Sequence, residues 1–399
     1  MYDAIVIGSR CAGAPTAMLL ARRGRRVLLV DRATFPSDVL SGHAIQPAGV
    51  AQLDRWGLLD RVRATGTPFT SKVRFDFGEV VLEGVPAPIG NIDSTVCIRR
   101  TLLDGLLADA AAEAGADLRN GFTVKELVWE DGRVVGIRGR DAAGVMVEER
   151  APIVIGADGM HSFVARSVRA TTYNEQPAAT VNSYSYWRGV DIDSIELYVR
   201  PGRFMVAVPT NDDLTIINQA APVDEAGHYR TNIEAAFAET LAMAPDLARR
   251  IAKAERVERF RLTTDTQGFF RVPFGPGWAL VGDAGYHKDA ITAQGMLDAF
   301  RDAELLATAI DDGLESNLDA ALRSYQQTRD AAVLPMYEFT CGLAHVEQPP
   351  PTEMVALIGA LAGNPHGISR FLGLIAGSVS VPDFFTAPFG VDPTSVLSR

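Results

Sequence analysis

The stretch YDAIVIGSRCAGAPTAMLLARRGRRVLLVD, residues 2–31, runs from an apolar segment through a glycine-containing turn and a helix-like segment into a second apolar segment. This order predicts a strand, a helix and a parallel strand. Gly8 and Gly13 lie in the turn, where a pyrophosphate at a helix N-terminus needs closely approaching backbone. Asp31 ends the second strand, where a carboxylate can bind an adenosine ribose. The stretch therefore predicts a dinucleotide-binding fold.

Two residues inside the first turn leave alternatives open. Arg10 occupies the place of the middle glycine in the G-x-G-x-x-G pattern. Its guanidinium either contacts the pyrophosphate or extends into solvent. Cys11 is either a reactive thiol or, as we favour, a small residue that fills space.

Two further stretches place a carboxylate in a small-residue turn after an apolar strand. Residues 156–162 read GADGMHS, in which Asp158 can accept a hydrogen bond from a ribityl or ribose hydroxyl. Residues 280–295 read LVGDAGYHKDAITAQG, in which Asp283 can bind a sugar-alcohol chain and Gly295 begins a helix. Because a helix N-terminus attracts negative charge, it suits the electron-rich end of a flavin ring. Together the three stretches predict a flavin cofactor.

Composition narrows the possible functions. The chain has 399 residues, 47% apolar content and a formal net charge of −11, with no basic tract to bind nucleic acid. The 3 cysteines have no paired spacing, so neither a disulfide framework nor a metal site is expected. No apolar run has the ~18–20 residues of a membrane span, and the apolar N-terminal stretch lacks a preceding basic segment. We expect a cytoplasmic protein.

The patterning divides the chain into three parts. The pattern predicts one discontinuous nucleotide-binding domain over residues 1–70, 95–170 and 271–335. Within it, a hairpin is predicted at Asp131-Gly132. Short alternating strands predict an inserted antiparallel β-sheet domain for substrate binding over 71–94 and 171–270. Residues 336–399 form a C-terminal helical segment that packs on the core, forms a dimer face or covers a pocket.

The three ordered signatures resemble those of FAD-dependent aromatic hydroxylases, the group A flavin monooxygenases with the para-hydroxybenzoate hydroxylase fold. The resemblance spans roughly residues 1–335. It implies an α/β fold in which a Rossmann-like FAD-binding domain of the glutathione-reductase type carries an inserted antiparallel sheet and C-terminal helices. Arg100 matches the family's Arg-x-x-Leu-Asp helix start, whose arginine commonly reaches the flavin; Arg99 is the alternative register. The residues implied to bind FAD are Gly8, Arg10, Gly13, Asp31, Arg32, Arg100, Asp158, Asp283, Gly295 and Met296.

The resemblance also implies an activity. Such enzymes add oxygen to an aromatic or polycyclic small molecule, by hydroxylation or epoxidation, through a flavin C4a-hydroperoxide formed with O2. NAD(P)H serves as a transient reductant, or a separate flavin reductase supplies reduced flavin. We expect a role in natural-product tailoring, with an aromatic or apolar small molecule as substrate.

The third signature departs from the family pattern at Tyr286, Ala290 and Ala293, where the family has His, Pro and Gly. Losing the proline is expected to leave the turn freer. Tyr286 and His287 are the candidate catalytic residues, and His287 belongs to an unusual polar triplet with Lys288 and Asp289. An ordinary loop histidine is the alternative.

Four aromatic residues, a methionine and an arginine on the predicted sheet are candidates for substrate binding, although core or surface packing is the favoured interpretation for any single one. They are Tyr184, Tyr186, Trp187, Arg188, Tyr198 and Met205.

Three other functions remain open on the same scaffold. A flavin-dependent halogenase would carry a Trp-x-Trp-x-Ile-Pro element, which the scattered tryptophans do not form, and an active-site lysine, for which Lys72 is a weak candidate on a sheet edge. A prenyl reductase would have a deep apolar pocket. A non-catalytic FAD-binding sensor is the third.

Overall fold

The computed structural model describes residues 1–40 and 43–389. Short 3-10 turns cover Val223–Glu225, Gly282–Ala284 and Ala290–Thr292. The α-helices are α1 (Gly13–Arg22), α2 (Pro47–Arg55), α3 (Leu59–Ala64), α4 (Arg100–Glu113), α5 (Phe163–Ser167), α6 (Ala226–Thr231), α7 (Ile233–Ala242), α8 (Pro245–Ile251), α9 (Gly295–Gly313), α10 (Leu318–Ala344), α11 (Thr352–Leu361), α12 (Pro365–Ile375) and α13 (Val381–Thr386).

The strands are, in chain order, β1 (Ala4–Ile7), β2 (Val27–Asp31), β3 (Ala44–Ile45), β4 (Phe69–Thr70), β5 (Val73–Asp76), β6 (Val81–Gly84), β7 (Thr95–Cys97), β8 (Asp117–Asn120), β9 (Thr123–Glu130), β10 (Arg133–Arg140), β11 (Met146–Arg150), β12 (Val154–Gly156), β13 (Thr172–Gln176), β14 (Thr180–Arg188), β15 (Ile195–Arg200), β16 (Arg203–Thr210), β17 (Leu214–Pro222), β18 (Glu255–Arg256), β19 (Arg261–Thr263), β20 (Gly268–Arg271), β21 (Phe274–Gly275), β22 (Trp278–Leu280) and β23 (Tyr286–His287).

The main sheet has the strand order β21-β22-β12-β1-β2-β8, and the strands from β22 to β8 run parallel. Strand β1 and the first four residues of β2 are apolar at every position because both faces of the sheet are covered. Ala4 and Val6 pack toward α1, α4 and α9, while Ile5 and Ile7 pack toward the sheet of β9, β10 and β11. This arrangement confirms the predicted Rossmann-like α/β fold.

A second, larger sheet has the order β18-β14-β17-β16-β15-β5-β6, and β19 also pairs with β14. Its pairs are antiparallel except for β15 with β5. Strands β5 and β6, which come from residues 71–84, thus join the sheet formed by the later segment. Helices α7 and α8 cover one face, and α11 and α12 cover the other. We call the face toward α12 the inner face.

Three small sheets complete the described topology, with the orders β11-β10-β9, β13-β20-β23 and β3-β7-β4. The first contains the hairpin predicted at Asp131-Gly132, which is confirmed because Arg133 pairs with Glu130 across that turn. In the second, the third signature's β23 pairs with β20.

One helical segment is divided by a glycine, and another differs from the sequence-based expectation. Helices α2 and α3 are separate because Gly57 between them adopts a φ of +72°. Helix α10 continues through Pro335 to Ala344, so the expected start of the C-terminal segment at 336 falls inside a helix. Burial of Val333 and Tyr337 in one apolar cluster on either side of this proline offsets its loss of a backbone donor.

Among the described residues, no helix combines the length and apolarity needed to cross a membrane.

Candidate active site

The carboxyl ends of four neighbouring strands lie together at one end of the main sheet, and part of a predicted signature lies at each of them. Gly8 follows β1, Asp31 ends β2, Asp158 follows β12 and Asp283 follows β22. A Cβ atom on Gly8 would lie 2.4 Å from the carbonyl oxygen of Ala157, so the first and second signatures touch where only glycine fits. Ligands of parallel α/β sheets bind beyond the carboxyl ends of the strands, which is where these residues meet.

Asp31 organises the first turn. Its Oδ2 accepts hydrogen bonds from the backbone N–H of Ser9 at 2.8 Å and the Ser9 hydroxyl at 3.1 Å, and its Oδ1 accepts from the backbone N–H of Ala33 at 2.8 Å. A carboxylate has about four acceptor positions, so capacity remains for ribose hydroxyls. The adjacent Arg32 is exposed. This geometry fits the adenosine half of FAD.

Arg10 and Arg100 share one buried carboxylate. Asp104 forms ion pairs with both guanidinium groups, at 2.8 Å for Arg100, and Arg10 also donates to the Ser37 hydroxyl at 3.0 Å. The Arg10 side chain is 22% exposed, so it does not extend freely into solvent, and its contact with pyrophosphate stays a prediction. Burial raises the pKa of Cys11 to about 12, which favours the space-filling interpretation of this thiol.

The second signature caps a helix. Asp158 accepts hydrogen bonds from the backbone N–H groups of Phe163 at 2.6 Å and Val164 at 3.2 Å, and from the Ser162 hydroxyl. Burial raises its pKa above the ordinary value. These bonds hold the turn after β12 in place, and a direct contact between Asp158 and the cofactor stays a prediction.

The third signature abuts the first and presents groups that fit a flavin. A Cβ atom on Gly282 would lie 2.7 Å from Cβ of Ala12 in the first turn. Asp283 is exposed and makes no hydrogen bond to another described residue. Gly295 begins α9, and a Cβ atom there would meet nothing within 4 Å. The exposed carboxylate and the open space at the helix N-terminus fit a sugar-alcohol chain and a flavin ring, and contacts of Asp283, Gly295 and Met296 with the cofactor stay predictions.

The loop of the third signature is held by side-chain hydrogen bonds. Asp289 accepts from the Thr180 hydroxyl of β14 at 2.6 Å and from the backbone N–H of Ile291 at 2.9 Å. These bonds hold the turn at the point where Ala290 replaces the family's proline, and the effect of that replacement on the freedom of the turn stays a prediction. Ala293 adopts a φ of +52°, a left-handed conformation that suits the family's glycine better.

Both candidate catalytic residues already have partners. The Tyr286 hydroxyl accepts a hydrogen bond from Lys288 Nζ at 2.9 Å, and Lys288 forms a buried ion pair with Asp298. Burial raises the pKa of Tyr286 well above its ordinary value. His287 donates from Nδ1 to the carbonyl oxygen of Gln267 at 2.6 Å. Catalytic roles for Tyr286 and His287 stay predictions.

The candidate substrate residues divide between the two faces of the large sheet, because side chains alternate along a strand. Tyr184 and Tyr186 lie on the inner face. Trp187, Tyr198 and Met205 lie on the opposite face, buried under α7 and α8. Trp187 stacks on Phe237 with ring centroids 5.1 Å apart. The structure therefore does not bring these three residues to the inner face, and Arg188 is exposed.

A cavity of about 60 Å³ lies between the inner face, the Ile291–Ala293 segment and α12; we call it the inner cavity. It is smaller than the ~150 Å³ apolar cavity that takes up benzene, so an aromatic ring requires movement of its walls. Its lining is Ala44, Gln46, Val73, Phe75, Pro86, Thr95, Ile195, Leu197, Val206, Val208, Ile291, Thr292, Ala293, Leu372, Ile375 and Ala376.

His43, which the sequence analysis missed, lies between the signatures and the inner face. Its side chain is buried, its Nε2 is 2.7 Å from the Tyr186 hydroxyl, and its ring lies 5.6 Å from that of Tyr184. Burial, followed by the positive charges of Arg100, Arg99 and Arg261, lowers the pKa of His43 to about 3. No spacing motif marks this histidine, because its partner is 143 residues away along the chain.

Arg99 and Arg100, at the start of α4, lie in different surroundings. Arg99 pairs with Glu258, and its guanidinium lies 4.4 Å from the ring centre of Tyr186. Burial lowers the pKa of Arg100, but neighbouring groups that include Asp283 raise it above the ordinary value. Asp283 of the third signature thus interacts electrostatically with Arg100, and the contact of Arg100 with the flavin stays a prediction. No cluster of metal-ligating side chains occurs within residues 1–40 and 43–389.

Comparisons with known proteins agree with this geometry. The chain is 25% identical over 327 residues to a 1H-pyrrole-2-carbonyl-[peptidyl-carrier protein] brominase of Pseudoalteromonas luteoviolacea, covering 79% of each chain. It is 26% identical over 367 residues to the phenazine 1,6-dicarboxylic acid hydroxylase PhzS of Lysobacter antibioticus, covering 82% of this chain and 86% of that one.

Solved structures share the fold. The myxobacterial chondrochloren halogenase CndH superposes with a TM-score of 0.81 at 23% identity, covering 96% of this chain and 92% of that chain. The flavin-dependent brominase Bmp2 superposes with a TM-score of 0.81 at 20% identity, covering 98% of both. The family model described as "FAD binding domain" matches residues 1–340. The chain therefore belongs to the FAD-binding domain family and is an FAD-dependent oxidoreductase of the aromatic hydroxylase and halogenase superfamily.

Proposed function

We propose that the protein is a monooxygenase that hydroxylates or epoxidises an aromatic or polycyclic small molecule. The observation that carries this proposal is the inner cavity, whose largely apolar lining includes the Ile291–Ala293 segment just before Gly295. A substrate there would lie next to the flavin site. Bound FAD, once reduced, supplies the activation of dioxygen.

The protein's own residues would bind the cofactor and would orient and desolvate the substrate. The N-terminus of α9 at Gly295 stabilises negative charge on the bound ring, and Asp283 holds the polar chain. Phe75, Leu197 and Leu372 exclude water from the inner cavity and restrict how a flat ring can lie.

The reductant and the biological setting belong to the same proposal. NAD(P)H binds transiently, or a separate flavin reductase supplies the electrons, and the reaction modifies a natural product in the cytoplasm. The similarity to the hydroxylase PhzS over 82% of the chain supports an oxygenation reaction.

Halogenation is the second candidate, supported by the 79% coverage shared with the brominase. The positions of the lysines favour oxygen transfer instead. The side chain of Lys72 is 68% exposed and pairs with Asp193, while the buried Lys288 is bound to Asp298. The lining of the inner cavity, as the described residues define it, contains no lysine.

A product analysis separates these reactions. The FAD-loaded protein is reduced by NADH, NADPH or a flavin reductase and mixed with isotopically labelled O2, aromatic compounds and bromide or chloride. Labelled oxygen in the product supports the monooxygenase. A halogenated product without labelled oxygen contradicts it, as does saturation of a double bond in the absence of O2, which indicates a reductase.

A further inference from the structure

Lys288 of the third signature carries a charge that is buried outside the inner cavity. Its side chain is only 3% exposed, it forms an ion pair with Asp298, and its Nζ donates a hydrogen bond to the Tyr286 hydroxyl at 2.9 Å. The ammonium also lies 4.9 Å from the centre of the Tyr286 ring. Among the described residues that line the inner cavity, Lys288 does not occur. Because removing a charge from water is costly, the position of this lysine calls for an explanation.

The partner of Lys288 lies at the start of the helix that the flavin site uses. Asp298 belongs to the first turn of α9, three residues after Gly295. Side chains on a helix lean toward its N-terminus, so this carboxylate lies close to the end of α9 where the open space fits a flavin ring. A helix N-terminus carries about half a positive charge. A carboxylate without a counter-charge in the first turn would cancel that positive potential.

Arg301 by itself does not neutralise Asp298. Its guanidinium is divided between Asp298 at 2.8 Å and Asp302 at 2.8 Å, and all three residues belong to α9. With both carboxyls ionised, these side chains carry two negative charges and one positive charge, and Lys288 brings their sum to zero. Burial raises the pKa of Asp298, but Lys288, followed by Arg301, outweighs burial and holds this pKa below the ordinary value. The Asp298 carboxyl is therefore ionised at neutral pH.

We infer that Lys288 raises the reduction potential of the bound flavin by neutralising Asp298 at the N-terminal end of α9. At neutral pH, reduction adds two electrons and one proton to a flavin, so the ring gains one negative charge. Positive potential at the helix end stabilises that charge. Lys288 acts through Asp298 and is therefore a positioning residue. The inference goes beyond the proposed function, because every reaction that begins with reduced FAD depends on this potential.

The test measures the midpoint potential of the FAD-loaded protein by anaerobic reduction at neutral pH in the presence of a reference dye. We expect Lys288→Met to shift the two-electron equilibrium about tenfold toward oxidised flavin, which corresponds to about 30 mV. Lys288→Gln should give the same shift, because it also removes the charge but keeps a donor for the Tyr286 hydroxyl. Potentials equal to that of the parent protein would overturn the inference.

A double variant shows whether the effect passes through Asp298. Lys288→Met combined with Asp298→Asn removes one positive and one negative charge, so the local sum is again that of the parent. We expect the potential to return to within about twofold of the parent equilibrium. If the double variant keeps the lowered potential of Lys288→Met, the effect does not pass through Asp298 and the inference fails.

A control variant and binding measurements separate this electrostatic role from a structural one. Arg250→Met also removes the cation of an ion pair with a buried carboxylate, that of Glu196 in the large sheet, and should leave the potential unchanged. Titration of the apoprotein measures the dissociation constants of oxidised and reduced FAD. Lys288→Met should weaken binding of the reduced form about tenfold more than binding of the oxidised form. Equal weakening of both forms would indicate a structural role and would contradict the inference.

Discussion

Asp289 of the flavin-signature loop accepts a hydrogen bond from Thr180 at the start of β14, at an oxygen–oxygen distance of 2.6 Å. This bond joins residues 109 positions apart and connects the two large parts of the fold. It orients the loop relative to the inner cavity, because Ile291, which donates its backbone N–H to the same carboxylate, also lines the cavity.

We expect Asp289→Ala to lower the free energy of unfolding by about 1–3 kcal/mol, because it removes the cap of the 3-10 turn Ala290–Thr292 and leaves the Thr180 hydroxyl proton without its acceptor. Denaturant unfolding monitored by circular dichroism measures the loss. Thr180→Val, which removes only the hydroxyl, should account for part of it. Equal stability of Asp289→Ala and the parent would show that the loop is held by other contacts.

The Asp289 carboxyl also predicts a pH effect. Burial raises its pKa in the folded protein above the ordinary value of 3.8. Its favourable contribution to stability is therefore full below pH 3.8 and is lost as the pH rises through the folded pKa. In Asp289→Asn this component should vanish from the pH dependence of unfolding. An unchanged profile over that range would contradict the prediction.

Asp283→Ala should weaken FAD binding by about 10–100-fold, the loss expected when a charged hydrogen-bonding group is removed, while the fold is retained. Fluorescence titration of the apoprotein with FAD measures the change. Asp109→Ala is a suitable control, since Asp109 is exposed on α4 away from the strand ends. A fully flavin-loaded Asp283→Ala protein would refute the role of this carboxylate.

Two lysines should respond differently to replacement by methionine. Lys288→Met removes one partner of the buried ion pair with Asp298 and is expected to lower the free energy of unfolding by up to about 3 kcal/mol. The loss is limited because Asp298 retains its ion pair with Arg301 at 2.8 Å. Lys72→Met, at an exposed pair with Asp193, should change stability little. Thermal unfolding of both variants measures the contrast, and equal effects would contradict it.

The ion pair between Lys288 and Asp298 predicts a pH dependence of stability that is opposite in sign to the one predicted for Asp289. Burial alone would raise the pKa of Asp298, but Lys288 and Arg301 lower it below its ordinary value. Its stabilising contribution is therefore present above pH 3.8 and is lost as the pH falls through the folded pKa. The stability difference between Lys288→Met and the parent should shrink over that acidic range.

Ala293→Gly should raise the free energy of unfolding by up to about 1 kcal/mol, because Ala293 holds a left-handed conformation that costs a residue with a Cβ about 1–2 kcal/mol. Ala290→Gly is the control and should destabilise, since Ala290 begins a right-handed 3-10 turn. Denaturant unfolding of the pair tests the assignment, which fails if both variants lose stability equally.

The local parts of the site could be predicted from sequence because local rules govern them. Turn geometry requires glycine at Gly8, Gly13 and Gly282, and ligand chemistry requires the acids that follow the apolar strands. Both requirements concern residues only a few positions apart in the chain. The FAD assignment follows from these features and is confirmed by the family match. The loop at Ala290 was less predictable, because its support comes from Thr180, far away in the chain.

The sequence by itself determined the dinucleotide-binding fold, the flavin signatures and the alternating strands of the inserted sheet, because strand and turn propensities and hydrophobic period are properties of short segments. Only the tertiary structure decided which face of that sheet meets the cofactor domain. Pairing register and long-range packing set this face, and they placed Trp187, Tyr198 and Met205 under helices while bringing His43 against Tyr186. Contacts between residues so distant in sequence depend on the packing of the whole chain, which no local pattern encodes.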